Sequence, residues 1–451
     1  MKLKTNFVCQ ECGAVYARHQ GQCYHCNAWN TIIEEIIDTK EIQPGLSLPS
    51  DSKPMALNQI SLEQVERITT GITEFDRVAG GGIVPGSLIL IGGSPGIGKS
   101  TLLLSAADMI ASQSKKVLYV TGEESLQQIK IRSDRLRIEQ GSLFIMAEID
   151  LNKITSSIIE EKPQLVIIDS IQTMMQPAIE SAPGSVSQVR ECAGVLQRFC
   201  KNLDIPIIVV GHITKSGGIA GPMVLEHIVD AVFLFEGENT RDFRILRALK
   251  NRFGSTQEIG VFVMESRGLR GVENPSEFFL THRENEVSGT VICPITEGSR
   301  PLLIEVQALV SQSGYGLPAR RSEGFSTNRL TLLLAVLEKR GKLSLGGSDV
   351  FINMVGGVNV DEPGADLAII LAITSSLRDK PIPPKTVIVG EVGLGGEIRG
   401  VNRIEERIGE ASRMGFEQII LPSVNITQNL VNKNMELIPV EDLSEAIKRV
   451  F

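Results

Sequence analysis

Four short apolar runs recur through the middle of the chain, the last three closing on polar residues: SLILI at 87–91, KVLYVTGEES at 116–125, QLVIIDSIQT at 164–173 and IPIIVVGHIT at 205–214. Runs of this length without strict alternation predict strands covered on both faces, as in a parallel sheet. Helical segments lie between them, beginning with TLLLSAADMIAS at 101–112. Strand–helix alternation with polar residues at the strand ends predicts an α/β sheet whose site lies at the carboxyl edge. From about residue 286 the pattern changes. TVICPI and LLIEVQALV read as strands, a long helix falls near 327–340, and DVFINMVGG precedes the helical run ADLAIILAITSSL. That order predicts an α+β domain. Residues 31–57 carry Pro44, Gly45, Pro49 and Pro54 with little periodicity and read as a flexible linker. The expected organisation is a small module at 1–30, the linker at 31–57, an α/β domain at 58–285 and the α+β domain at 286–451.

Length agrees, since 451 residues suggest two to four domains. Aromatic residues are only 4% of the chain, so its cores must rest on Ile, Leu, Val and Ala. A net charge of −8 argues against a generally basic, DNA-coating protein but leaves room for a local basic site. No apolar run approaches the roughly 18 residues of a membrane span. The opening, MKLKTNFVCQECG, lacks the apolar core of a secretory signal. The expected location is cytoplasmic, with no membrane partner.

In that compartment clustered cysteines suggest metal rather than disulfides. Cys9 and Cys12 are followed by Cys23 and Cys26, two CxxC pairs suited to a closed tetrahedral Zn2+ site. Thirty residues cannot build a sufficient core, so metal would supply much of the folding energy. His19 and His25 are alternative ligands, although four thiolates already complete a site.

Gly93-Ser94-Pro95-Gly96-Ile97-Gly98-Lys99-Ser100 fits G-x4-G-K-[ST] between a predicted strand and a predicted helix, and Thr101 follows. That context marks a P-loop. Its glycines let backbone N–H groups converge on the phosphates of ATP, and the helix N-terminus favours negative charge. Lys99 would neutralise phosphate and Ser100 would ligate Mg2+. At the second strand tip Glu123 can polarise an attacking water; Glu124 reads as a solvated acid. Asp169 ends the third strand, where an acid holds Mg2+ through water. His212 ends the fourth, where a polar residue can sense the γ-phosphate. Beyond lies a basic stretch, residues 241–252, with five basic groups against one acid. If it is extended, Arg244, Lys250 and Arg252 share a face. It reads either as a solvated edge or as an element reaching a neighbouring subunit's phosphate or DNA.

These features in this order resemble the RadA (Sms) family of bacterial DNA-repair proteins. The resemblance rests on the four-cysteine finger, GGSPGIGKST, TGEES, GHITK at 211–215, AGPMVLEHIVDAVFLFEG at 220–237, and Lys250-Asn-Arg-Phe-Gly254. It implies a RecA-like P-loop ATPase core, similar also to hexameric DnaB-type helicases, with an N-terminal zinc ribbon-type module. By position it implies Lys99 and Ser100 as phosphate and Mg2+ contacts, Glu123 as catalytic base, Asp169 as the Walker-B acid and His212 as sensor. Lys250 and Arg252 fall in the motif that couples ATP to DNA. The family usually has Asp at Ser94 and Trp near His19. GEVGLGGEIRGVNRIEERIGEA resembles part of a Lon-type protease domain, whose Ser–Lys dyad would fall at Gly364 and Glu405. Neither residue can serve, so proteolysis is disfavoured. Arg320 and Arg321, in a Gly/Pro-containing loop, are candidate phosphate contacts. The resemblance implies a DNA-dependent ATPase and helicase-type motor, a homo-hexamer ring acting on single-stranded and branched DNA with RecA recombinase. The alternatives are an ATP-switched clamp and an ATP-dependent protease.

Overall fold

The computed structural model describes the chain apart from residues 1–2, 10, 12, 39–65, 213–222, 238–242, 281–286, 315–316, 356–358, 428–429 and 431–434. Cys12 and most of the expected linker therefore lie outside the described residues. The chain divides into two compact units, Met1–Glu273 and Asn274–Phe451.

In the first unit, β1 (Leu3–Cys9), β2 (Val15–Tyr16) and β3 (Ile32–Asp38) form a small antiparallel sheet in the order β2-β1-β3. Its buried centre is Cys9, Cys23 and Ile32. Trp29, the one tryptophan of the chain, is 68% exposed on this module.

The large sheet of the same unit contains β4 (Leu88–Gly93), β5 (Val117–Thr121), β6 (Leu143–Ala147), β7 (Leu165–Asp169), β8 (Ile207–His212) and β9 (Ala231–Glu236). These six are parallel, in the order β9-β4-β8-β7-β5-β6. Its helices are α1 (Thr73–Ala79), α2 (Lys99–Ser112), α3 (Leu126–Leu136), α4 (Leu151–Glu161), α5 (Val186–Leu203) and α6 (Met223–Ile228). Alternate residues of β4 feed two different cores. Ile89 and Ile91 pack with Leu102 and Leu103 of α2, whereas Leu88 and Leu90 pack with Val189 and Leu196 of α5. Coverage on both faces explains why the strand sequences are continuously apolar.

β10 (Phe243–Asn251), β11 (Ile259–Glu265) and β12 (Gly268–Gly271) extend the sheet beyond β9 as an antiparallel meander. The register of β10 against β9 shifts between Ala248 and Lys250. This bulge at Leu249 breaks the period of two, and the strand stops before Arg252. The expected shared face of Arg244, Lys250 and Arg252 therefore does not form.

The second unit opens with α7 (Pro275–Phe279) and contains β13 (Thr290–Glu297), β14 (Arg300–Gln312), β15 (Arg320–Glu323), α8 (Thr327–Lys339), β16 (Ser348–Met354) and α9 (Asp366–Arg378). It continues with β17 (Thr386–Ile388), the short pair β18 (Glu391–Val392) and β19 (Ile398–Arg399), α10 (Ile404–Arg413), β20 (Gln418–Pro422), β21 (Glu436–Val440) and α11 (Leu443–Val450). The main sheet runs β15-β16-β14-β13-β17-β20-β21 and mixes parallel with antiparallel pairs. Helix α9 is buried from Asp366 through Ser375 and packs on β13 and β14. Arg320 and Arg321 lie on the edge strand β15, not in a loop. Arg320 is taken up by backbone carbonyls, with Leu345 O at 2.9 Å, while Arg321 is exposed.

Candidate functional site

The carboxyl edge of the large sheet gathers the polar strand ends. Gly93 of β4 pairs in register with His212 of β8, and Thr121 of β5 with Asp169 of β7. Between β4 and α2 the loop turns through Gly96 and Gly98, at φ +77° and +115°, where a side chain would be strained. A Cβ on Gly93 would stand 2.6 Å from Phe235 O, so this loop also needs glycine for space. Arg244, expected to share a face with Lys250 and Arg252, is instead buried with its Nε donating to Ile97 O at 3.3 Å. It braces the P-loop from within the sheet.

Lys99 is 4% exposed. Its ammonium donates to Gly93 O (2.8 Å) and Ser94 O (3.1 Å) and lies 3.4 Å from His212 Nδ1. Burial pulls the Lys99 pKa below the usual lysine value, and the nearby Asp169 and Glu123 carboxylates oppose that pull. His212 Nε2 lies 3.0 Å from Glu123 Oε1. The tautomer protonated at Nε2 satisfies both sides, accepting from Lys99 and donating to Glu123. Ser170 Oγ also donates to Glu123 Oε1. The hydrogen bond from His212, ahead of that from Ser170, holds the Glu123 carboxyl below the usual carboxylate range against the upward push of partial burial. Asp169 is buried, and its Oδ2 accepts from the Tyr119 hydroxyl at 2.7 Å. Burial, followed by the Asp169 charge, pushes the Tyr119 hydroxyl well above the usual tyrosine value.

Lys99, Glu123, Asp169 and His212 thus converge, and Ser100 and Thr101 open α2 beside them. Glu124 behaves differently from the solvated acid expected of it. It pairs with Arg132 of α3 and its Oε2 is buried. The capping box of Ser125 and Gln128 starts α3 directly after it. Tyr119, Ser170 and Arg132 carried no signal in the motifs, and Arg244 was singled out only as part of the basic stretch.

Lys250 and Arg252 do not join this group. Lys250 Nζ donates to Glu226 O and to Val229 O, the latter at 2.8 Å, closing the end of α6. Burial, with Arg252 adding, lowers its pKa. Arg252 pairs with Asp230 at 3.1 Å, and Asp230 in turn accepts from Lys201 and from Leu88 N. Leu88 begins β4 and Gly93 ends it. Five residue steps at roughly 3.3 Å separate the two ends by about 17 Å. These cations therefore stand at the edge opposite their own P-loop.

On the small module the Sγ atoms of Cys9, Cys23 and Cys26 all lie within 4.8 Å of one another, with Cys9 and Cys26 at 3.7 Å. The Thr31 and Tyr16 hydroxyls lie 3.2 Å from Cys9 Sγ and Cys23 Sγ respectively. His19 and His25 are exposed, and neither belongs to this cluster among the described residues. His19 instead sets its ring edge-on to Phe7.

In the second unit Gly364 is buried, and a Cβ there would meet Glu362 Oε1 at 2.8 Å. Glu362 pairs with Arg407, which is fully buried and also donates to Asn402 O, Pro294 O and Thr296 Oγ1. Glu405 is exposed in the first turn of α10. No described helix is long and apolar enough to cross a membrane.

Three family descriptions match in order: a rubredoxin metal binding domain at residues 7–34, an AAA domain at 53–218 and a Lon protease (S16) C-terminal proteolytic domain at 342–451. Over its whole length the chain is similar to DNA repair protein RadA. It is 48% identical to that of Bacillus subtilis (99% of this chain, 98% of the relative) and 48% identical to that of Escherichia coli K12 (98% of each). With that of Halalkalibacterium halodurans it shares 47% identity, over 99% and 98% of the two chains.

Proposed function

Because the chain belongs to the family of DNA repair protein RadA, we propose that it is an ATP-driven motor on DNA that processes recombination intermediates. The observation that carries this reading is the convergence of Lys99, Glu123, Asp169 and His212 on one P-loop. In the proposed roles, Gly93 through Gly98 wrap the phosphates and Lys99 neutralises them. Ser100 and Asp169 hold Mg2+, which would stabilise charge on the transferred phosphoryl group. Asp169 fits that use, since its Oδ1 has no protein hydrogen bond among the described residues. Glu123 orients the attacking water. In the arrangement seen, His212 occupies both Lys99 and Glu123. Transfer of His212 to a γ-phosphate would free Lys99 and remove the main cause of the lowered Glu123 pKa, making Glu123 a stronger base. Nucleotide arrival would thus arm the site.

Lys250 and Arg252 are proposed to act on a neighbouring subunit's nucleotide or on DNA, since their own P-loop lies at the far edge of the sheet. A homo-hexamer ring would supply such a neighbour. Single-stranded and branched DNA would be the track, and RecA recombinase would be the source of the intermediates. The test is strand separation of forked DNA with ATP against a non-hydrolysable analogue; equal strand separation with both would sink the motor reading. Arg252→Ala and Lys250→Ala should bind nucleotide normally. Arg252 is 54% exposed, and the buried Asp230 keeps its bonds from Lys201 and Leu88 N when Arg252 is removed, so the variant should fold. DNA-coupled activity should fall by at least roughly tenfold. Mixed Lys99→Ala and Arg252→Ala subunits should recover some hydrolysis if the cation acts across an interface. No recovery at any ratio, after co-assembly is checked, would favour a DNA contact.

The thiolate cluster fits Zn2+. A tetrahedral centre with bonds of about 2.3 Å has ligand–ligand edges of about 3.8 Å, close to the 3.7 Å between Cys9 and Cys26. The proposed ligands are Cys9, Cys23, Cys26 and Cys12. Elemental analysis should find about one zinc per chain. Apparent binding energies of about 10–16 kcal/mol are typical of such sites, so chelation should unfold the ribbon while the large sheet around the P-loop stays folded. An unchanged ribbon after complete metal removal would reject the site. The second unit is proposed as a scaffold rather than a protease, because Gly364 offers no nucleophile and Glu405 no amine.

A further inference from the structure

Tyr119 sits inside the apolar run of β5 and has no exposed surface. Its ring belongs to the core shared with α2, the helix that follows the P-loop. Its hydroxyl leaves that core at one point only, donating to Asp169 Oδ2 at 2.7 Å. The backbone locks the same place, because Gly122 N donates to Asp169 O at 2.9 Å. A carboxylate on a strand end turns freely about its last torsion. A buried phenol on an adjacent strand removes that freedom, because the ring itself cannot move.

We propose that Tyr119 is a positioning residue for the Mg2+ acid: by fixing Oδ2 of Asp169 it aims Oδ1 at the hydrated ion. This rests on the reading of Asp169 given above. The role is geometric, and it asks for a tyrosine where the strand pattern asks only for an apolar ring. Partners that orient a metal ligand in this way commonly contribute about 10–100-fold in metal affinity or activity.

Tyr119→Phe keeps the ring and deletes the oxygen. It should fold and bind nucleotide normally without metal. The Mg2+ concentration for half-maximal hydrolysis should rise by about tenfold or more, while KM for ATP at saturating Mg2+ changes little. Mn2+ binding to the nucleotide-loaded protein, followed by electron paramagnetic resonance, should weaken by a similar factor. In an Asp169→Asn background the same substitution should add nothing. A purely structural role would lower activity equally at every Mg2+ concentration and leave Mn2+ affinity alone, and that result would overturn the proposal. Should Tyr119→Phe fail to fold, wild-type protein decides. Adding Mg2+ to the nucleotide complex should perturb the near-ultraviolet tyrosine absorption, and Asp169→Asn should abolish the change; a flat difference spectrum overturns the assignment. Absence of Mg2+-dependent hydrolysis in the wild-type chain would reject the reading of the site itself. Normal hydrolysis with an unchanged Mg2+ requirement in Tyr119→Phe would reject only the role of Tyr119.

Discussion

Lys99→Ala should lose hydrolysis by about 10²–10³-fold or more while keeping its fold. Among the described residues the ammonium is the one group that touches the loop carbonyls of Gly93 and Ser94 and the His212 ring together. In the proposed site it is also the cation that meets the phosphates. Structurally the substitution should be mild, because burial already disfavours the charged form of Lys99. Alanine removes that cost, and the carbonyl of Ser94, which is exposed on the loop, can turn to water. The thermal midpoint should therefore stay near that of the wild type. The check is a steady-state ATPase assay with DNA present beside a circular-dichroism melt. Wild-type turnover in the variant would remove the P-loop assignment, and a large drop in the midpoint would contradict the energetic argument.

The second large effect is expected in the other unit. Arg407→Met should destabilise it by about 3 kcal/mol, because breaking a buried ion pair strands the remaining charge. Arg407 has no exposed surface and supplies donors to Glu362, Pro294 O, Thr296 Oγ1 and Asn402 O. Methionine fills much of the volume but supplies none of these donors. Among the described residues Glu362 then keeps its bonds from Thr296 alone. For a unit of this size about 1 kcal/mol corresponds to roughly 2–4 °C, so a loss of about 6–12 °C is expected. Glu362→Gln in the Arg407→Met background should recover part of it by removing the stranded charge. Nucleotide affinity should not change. A midpoint equal to that of the wild type would show that the pair contributes nothing.

What could be read from the sequence follows the physics of each element. β4, β5, β7 and β8 were legible because strands covered on both faces must be continuously apolar. Lys99 was legible from G-x4-G-K-[ST], and Glu123, Asp169 and His212 because the ends of those runs are polar for no packing reason. Tyr119 was not, since within an apolar run a tyrosine looks like any other core aromatic. The Glu124–Arg132 pair was hidden because a helix start separates its partners. The bulge at Leu249 carries no glycine or proline signal, so the even spacing of Arg244, Lys250 and Arg252 suggested a face that the backbone does not make. In α10 nothing in the charged stretch marks Arg407 as buried, yet it pairs with Glu362 of a distant segment.

The exposure of Trp29 has a practical consequence for following the denaturation of this protein. With one tryptophan in 451 residues, and that one 68% exposed beside the thiolate cluster, indole emission is a local reporter. It should respond to loss of metal from the ribbon and stay nearly silent while either large sheet comes apart. An emission curve taken as a global unfolding curve would assign the whole chain the stability of a module of about thirty residues. Backbone circular dichroism against indole emission, recorded on the same sample, would separate the two events by optical channel alone.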